Sequence, residues 1–213
     1  YMESAFASHM ERHRLADPTI RELIDPEDLM LKTLQQKGFD HEDAFLASLR
    51  TERKAVVEIE RASQEVMLAR TREAMANGAD IIAQAQLQLD NFGGLADFLV
   101  KVPGHSSLGD HHYEVWDTKL SKKMKPYFAI QLCCYAEMLE HEQGVRPRDV
   151  SIVLGDNEII PLRVQGYFGY YSALKASFLR FQESWNPEIP PDPAESTSHG
   201  RWTQYASELL KER

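Results

Sequence analysis

Apolar residues change their spacing twice along the chain, dividing it into a helical beginning, a strand-rich middle and a helical end. Early on, Leu31, Leu34, Ala44, Phe45 and Leu49 recur at helical spacing behind Asp25-Pro26-Glu27-Asp28. That tetrapeptide is a helix start: a capping acid, a proline suited to the first turn, and acids at the positive end of the dipole. Gly38 marks a break, and residues 63–76 read as a second helix stopped by Asn77-Gly78. Stretches 81–89, 96–102 and 113–118 have β-type composition, separated by Asn91-Phe92-Gly93-Gly94 and by residues 103–110. Pro126 opens a helix over 127–140, residues 150–154 and 158–164 flank Gly155-Asp156-Asn157 as a hairpin, and 167–185 form a long aromatic-rich helix. The order is helices, three strands, helix, two strands, helix, which predicts an α/β domain with a mixed sheet.

Composition narrows this. The 213 residues are 43% hydrophobic and 27% charged, enough to bury one sizeable core. Four prolines within 186–193 read as an extended connector, because proline removes backbone donors and resists helix. The expected organisation is therefore one unit over 1–185, with a helical segment over 1–76 and a core over 77–185, followed by a connector and terminal helix over 186–213. No apolar run approaches the ~20 residues that span a bilayer, so no membrane association is expected. Adjacent Cys133 and Cys134 cannot build a disulfide framework and fit a reducing, cytoplasmic setting. Tyr1-Met2-Glu3 has the character of no secretory leader, and the missing initial Met fits a piece of a longer chain. A net charge of −9 argues against broad electrostatic binding to nucleic acid. It leaves a nuclease open, because metal-holding carboxylates also count as negative charge.

The chemistry concentrates in Gly94-Leu95-Ala96-Asp97 and Asp117-Thr118-Lys119. Asp117 and Lys119 lie two apart on a strand, so both side chains project from one face. If 96–102 and 111–118 pair as a hairpin, Asp97 lies opposite Trp116 or Asp117, its carboxylate about 5–8 Å from that of Asp117. Carboxylates so close repel unless a cation joins them, and Mg²⁺ or Mn²⁺ is the natural bridge. The spacing alone fits equally well an Asp97 turn cap beside a solvated Asp117–Lys119 ion pair.

Four motifs in order alter that balance: Gly38-Phe39-Asp40-His41-Glu42, Gly94 to Asp97, Asp117 to Lys119, and Gln131-Leu132-Cys133-Cys134-Tyr135. Together they resemble the RecB-like branch of the PD-(D/E)XK nuclease superfamily over about 38–135, and the wider wording is similar to RecB-family nucleases that precede a helicase in longer proteins. The resemblance implies a restriction-endonuclease-like core, a central mixed sheet flanked by helices. It implies a metal-dependent DNA nuclease that cleaves phosphodiester bonds with a metal-activated water, using Mn²⁺ or Mg²⁺. Carried over, His41, Asp97, Asp117 and the backbone carbonyl of Thr118 hold the metal, and Asp97, Asp117 and Lys119 carry the catalysis. Gln131 and Tyr135 share a helix face that the resemblance turns towards the site, as contacts to substrate phosphate. Taken by itself His41 reads as a core histidine beside Ala44 and Phe45; with the other motifs it reads as a ligand. Glu42 is set aside as pointing off that face.

One departure from the family is plain. Many RecB-like nucleases clasp an iron–sulfur cluster with four cysteines, one upstream and three near the end, whereas this chain has Ala7-Ser8-His9 and His199-Gly200-Arg201-Trp202 there. No four-thiolate set exists, so no iron–sulfur cluster is expected, and packing of Trp202, Tyr205 and Leu209 should hold the terminus instead. Lys122 and Lys123, with Lys119 and Lys125, form a local basic patch suited to a phosphate track. His9 and His13 lie four apart on a helix and are expected on an exposed polar face. Neither a P-loop nor a G-x-S-x-G elbow is present. The expected partner is DNA, single-stranded or with ends, beside a helicase in the same longer chain, in repair or phage defence. The alternatives are a catalytically silent nuclease-like module that binds DNA or scaffolds a helicase, and a metalloenzyme acting on a small phosphoester.

Overall fold

The computed structural model describes residues 1–52 and 55–212. They form two compact units, one of Tyr1–Leu31 with Ser172–Arg213 and the other of Lys32–Tyr171. These limits differ from the sequence-based division at 185/186.

The larger unit is α/β. Its six strands, β1 (Val56–Glu58), β2 (Ile81–Leu89), β3 (Phe92–Ser106), β4 (Gly109–Thr118), β5 (Asp149–Val153) and β6 (Ile159–Arg163), lie in the order of the chain. The β1/β2 and β4/β5 pairs are parallel, and the other three pairs are antiparallel. Each parallel pair is joined through a helix, as a parallel connection requires: α3 (Gln64–Ala76) after β1 and α4 (Pro126–Gln143) after β4. Two further long helices are α2 (Leu29–Glu52) and α5 (Val164–Glu183).

Two hydrophobic cores cover the two faces of the sheet. Met67 and Met75 of α3 and Leu132, Ala136 and Leu139 of α4 pack with Ile82, Leu99 and Val115 in one core. Phe45, Leu46 and Leu49 of α2 pack with Ile81, Ala83, Phe98 and Val100 in the other. Strict alternation would keep even-numbered β2 residues on one face, yet Ile82, Ala85 and Leu87 share a core, as do Ala96 and Leu99 of β3. The pleat slips by one residue in both strands at the same level. Gln84 and Asp97 occupy the slip, and Gln84 has φ = 55°, the left-handed region that a residue with a Cβ rarely enters.

Sequence expectations for the strands hold in order, but β3 starts at Phe92, inside the stretch read as a separator, because residues 92–95 pair with β2; residues 103–106 and 109–112 lengthen β3 and β4 by continuing their hairpin. β1 was not anticipated; three residues at a sheet edge give no periodicity to read. α2 runs unbroken through Gly38, and its apolar stripe differs from the expected one. Leu31 and Leu34 are exposed, as is Ala44, while Phe45, Leu46 and Leu49 are buried. Among the described residues no helix is long and apolar enough to cross a membrane.

The smaller unit contains α1 (Ala5–Ala16) and α6 (Thr203–Lys211), with Phe6, Met10, Trp202 and Ala206 fully or nearly buried together and Tyr205 and Leu209 packed on them. The indole N–H of Trp202 donates to Glu11 Oε1 at 2.9 Å, and Arg201 grips the same carboxylate with Nε at 2.6 Å and Nη2 at 2.5 Å. Asp25, expected to start the next helix, instead accepts from the Thr203 and Gln204 amides and caps α6; Asp28 accepts from the Met30 amide at the head of α2. His9 is 2% exposed, packed on Trp185 at 5.7 Å between ring centroids, and so does not lie on the exposed face expected of it. Trp202→Ala, which removes the largest buried side chain here, should cost about 3–5 kcal/mol in urea denaturation followed by circular dichroism.

Candidate active site

Asp97 and Asp117 meet through the β3/β4 register. Phe98 pairs with Trp116, so the next level places Asp97 across from Asp117, as the hairpin argument expected. One oxygen of Asp97, Oδ2, accepts both the Thr118 amide and the Thr118 hydroxyl at 2.7 Å each. Those bonds fix the carboxylate against the end of β4. Asp117 is 2% exposed, and Lys119 Nζ lies 2.5 Å from its Oδ2. That contact is a close, charge-assisted pair, and Lys119 is what offsets the burial of the carboxylate. Burial, then the charge of Asp97, push the Asp117 carboxyl up to about 6, while Lys119 pulls it down. Lys119 also stands over the Phe128 ring at 5.5 Å, which keeps its ammonium on the α4 side.

The scaffold under this pair is built from close approaches. Gln143, fully buried, accepts from the Tyr113 amide at 2.8 Å and donates to the Tyr113 carbonyl at 3.1 Å. Its amide thus takes the place of a neighbouring strand beside β4 and locks α4 to it. A Cβ on Gly155 would come 2.3 Å from the Leu120 carbonyl, so only glycine lets the β5–β6 turn lie against the chain that follows Lys119.

Gln131 and Tyr135 were expected to offer phosphate contacts. Tyr135 is 8% exposed, and its hydroxyl donates to the Leu95 carbonyl at 2.7 Å. It braces the strand that carries Asp97, and burial pushes its hydroxyl up to about 12. A Cβ on Gly94 would sit 2.9 Å from the Tyr135 hydroxyl, which links the Gly94–Asp97 and Gln131–Tyr135 motifs through one contact. Lys122 and Lys123 are exposed on the loop after Lys119.

Phe45 of α2 packs on Phe98 at 5.5 Å and on Trp116 at 6.3 Å between ring centroids, the residues next to Asp97 and Asp117 in sequence. One turn earlier are His41 and Glu42. His41 Nε2 is buried with no hydrogen-bond partner. Glu42, set aside in the sequence reading, accepts from Gln84 Nε2. Its carboxyl is pushed up to about 7 by burial and by Asp97, with smaller contributions from Asp43 and Asp117. The sequence argument placed Glu42 off the apolar face because it took Ala44 and Phe45 as that face; measured from Phe45, Leu46 and Leu49, Glu42 sits three, four and seven residues back, on the buried stripe. Gln84 was missed because nothing in its composition announces a reversed pleat.

Compared with models of known families and with curated proteins, the chain matches none. Among the described residues no three His, Cys, Asp or Glu side chains already form a metal cage. Two features bear on a cation: the mutually repelling carboxylates of Asp97 and Asp117, and the unpartnered Nε2 of His41.

Because the folded protein holds the Asp117 proton more tightly than the unfolded chain, metal-free stability should fall as pH rises from about 4 to about 6 and stay lower above. Asp117→Asn should therefore raise metal-free stability by about 1–3 kcal/mol above neutral pH, and the gain should vanish in acid below the ordinary aspartate range. Urea titrations of both proteins across pH measure this.

Proposed function

We propose that the larger unit is a metal-dependent DNA nuclease of the RecB-like type, working in a reducing, cytoplasmic setting within a longer DNA-processing protein. The observation that carries this reading is the pair Asp97 and Asp117, held on adjacent strands with Lys119 at 2.5 Å and with Thr118 fixing Asp97. Two like charges this close, one of them buried, are unfavourable in themselves, and a divalent cation between them would turn the repulsion into affinity. Asp97 and Asp117 would be its carboxylate ligands, with His41 Nε2 and the Thr118 carbonyl completing the set. Bound there, Mn²⁺ or Mg²⁺ would lower the pKa of a water and stabilise charge at the attacked phosphorus.

The residues themselves do the rest. Lys119 keeps a positive charge beside the phosphate and orients the attacking water. Asp97 stays in position because two donors of Thr118 hold one of its oxygens, leaving the other for a ligand. Tyr135, through Leu95, stiffens the strand between Gly94 and Asp97. Lys122 and Lys123 lie exposed where a substrate backbone would leave the site.

The test is cleavage of labelled single- and double-stranded DNA with and without Mn²⁺ or Mg²⁺. Asp117→Ala should abolish cutting while the fold, followed by circular dichroism, is retained. Lys119→Ala should lose about 10²-fold in rate yet keep Mn²⁺ binding by titration calorimetry. A wild-type protein that binds DNA but never cuts it would point to the silent module instead.

His41→Ala separates ligand from packing. A folded variant that loses the Mn²⁺ advantage over Mg²⁺ fits a ligand, whereas one that keeps the wild-type preference assigns His41 to the helix packing alone.

A further inference from the structure

The turn between α4 and β5 and the junction of β6 with α5 surround a cavity of about 590 Å³, within the range of small-molecule sites. Arg146, Arg148, Arg163, Gln165 and Phe168 line it, and among the described residues no carboxylate does. Three guanidiniums around one space repel one another, and they gather here on a chain whose net charge is −9. The strand register explains why they meet. Asp149 and Arg163 are partners across β5 and β6, the Arg148 carbonyl accepts from the Val164 amide at 3.1 Å, and β6 passes directly into α5.

The arginines are held in ways that leave donors over. Arg146 turns Nε and Nη2 to Glu140 Oε2 at 2.6 Å each, and its guanidinium lies 3.5 Å from the centroid of the Phe168 ring. Arg163 Nε meets Asp149 Oδ1 at 3.1 Å, a contact that does not use its two terminal nitrogens. Arg148 is exposed and forms no ion pair among the described residues. Two guanidiniums are thus oriented by carboxylates, and a third carries an unmatched charge. A planar fork of N–H donors fits phosphate oxygens, and several forks around one space suit a group with more than one negative charge. The cavity is separate from the carboxylate site. Ile152, the β5 partner of Asp117, is four residues from Arg148, about 13 Å along an extended strand.

We infer that this cavity binds a phosphate group, carried by a free phosphate ester or by a nucleic-acid backbone. Arg148 and Arg163 donate to its oxygens, and Arg146, backed by Phe168, closes the third side. The inference stands apart from the nuclease reading, because none of these residues belongs to the Asp97–Asp117 site and binding requires no cleavage.

The experiment titrates the 213-residue chain by calorimetry, at low salt and without metal, with inorganic phosphate, adenosine 5′-monophosphate and a single-stranded oligothymidylate. Phosphate should bind with a Kd of about 1 mM or tighter, and Arg148→Glu should weaken that binding at least about 10-fold. Arg163→Gln, which removes the second exposed guanidinium, should weaken it at least about 3-fold. Arg70→Glu, at an exposed position on α3, makes the same change in net charge as Arg148→Glu and should alter binding by less than about 2-fold. Circular dichroism checks that each variant is folded. Oligothymidylate binding at least about 10-fold tighter than the monophosphate assigns the phosphate to a nucleic-acid strand, and equal or weaker binding assigns it to a free ester. If phosphate does not bind, if either cavity variant binds it as wild type does, or if Arg70→Glu weakens it as much as Arg148→Glu, the cavity assignment is overturned. The nuclease reading is untouched by that failure, since its own test is cleavage at Asp97 and Asp117.

Discussion

Both hydrogens that Thr118 can offer, amide and hydroxyl, go to one oxygen of Asp97. These two hydrogen bonds to a single atom hold a charge where its neighbour Asp117 repels it, and the surrounding unit is arranged to keep both in place. Gln143 substitutes for a strand beside Tyr113, Tyr135 braces Leu95, and Gly94 and Gly155 give way where a Cβ would not fit. Each device acts within a few residues of Asp97 or Asp117. A repulsive pair needs such over-determination, since a flexible strand would relax by turning one carboxylate to water.

The smaller unit solves another problem with ordinary packing. Glu11 gathers Trp202 and Arg201 onto one carboxylate, and Arg201 holds that carboxyl below its usual range. Trp202 and Phe6 bury completely, so the apolar contact, not the partly exposed ion pair, supplies most of the stabilisation. Here the beginning and end of the chain are joined by an aromatic core and a capping aspartate.

Much of this was legible in the sequence, for reasons that can be named. The β-type composition of 81–89, the proline at 126 and the Gly155-Asp156-Asn157 turn each carry a local signal, and the hairpin that juxtaposes Asp97 and Asp117 follows from two strands and the turn between them. What escaped depends on more than local pattern. The pleat reversal at Gln84 arises between two strands, the three residues of β1 are too few for periodicity, and Glu42 was misjudged because the wrong turn of α2 was taken as its buried face. Tyr135 shows the limit of motif reading: expected as a contact to substrate phosphate, it is buried and donates to the Leu95 carbonyl, a bracing role.

Electrostatics constrains how an acidic chain can act on a polyanion at all. With a net charge of −9, long-range attraction does not draw nucleic acid in, so on the proposed reading binding would be local and short-ranged. On the proposed reading, Lys119, Lys122 and Lys123 follow the site along the chain, while Arg61 stands across Gln84 from Glu42. Between them lie carboxylates that a bare phosphate would avoid. A divalent cation would reverse the sign of that central region. Metal and substrate would then favour one another's binding, since each relieves the repulsion that the other meets.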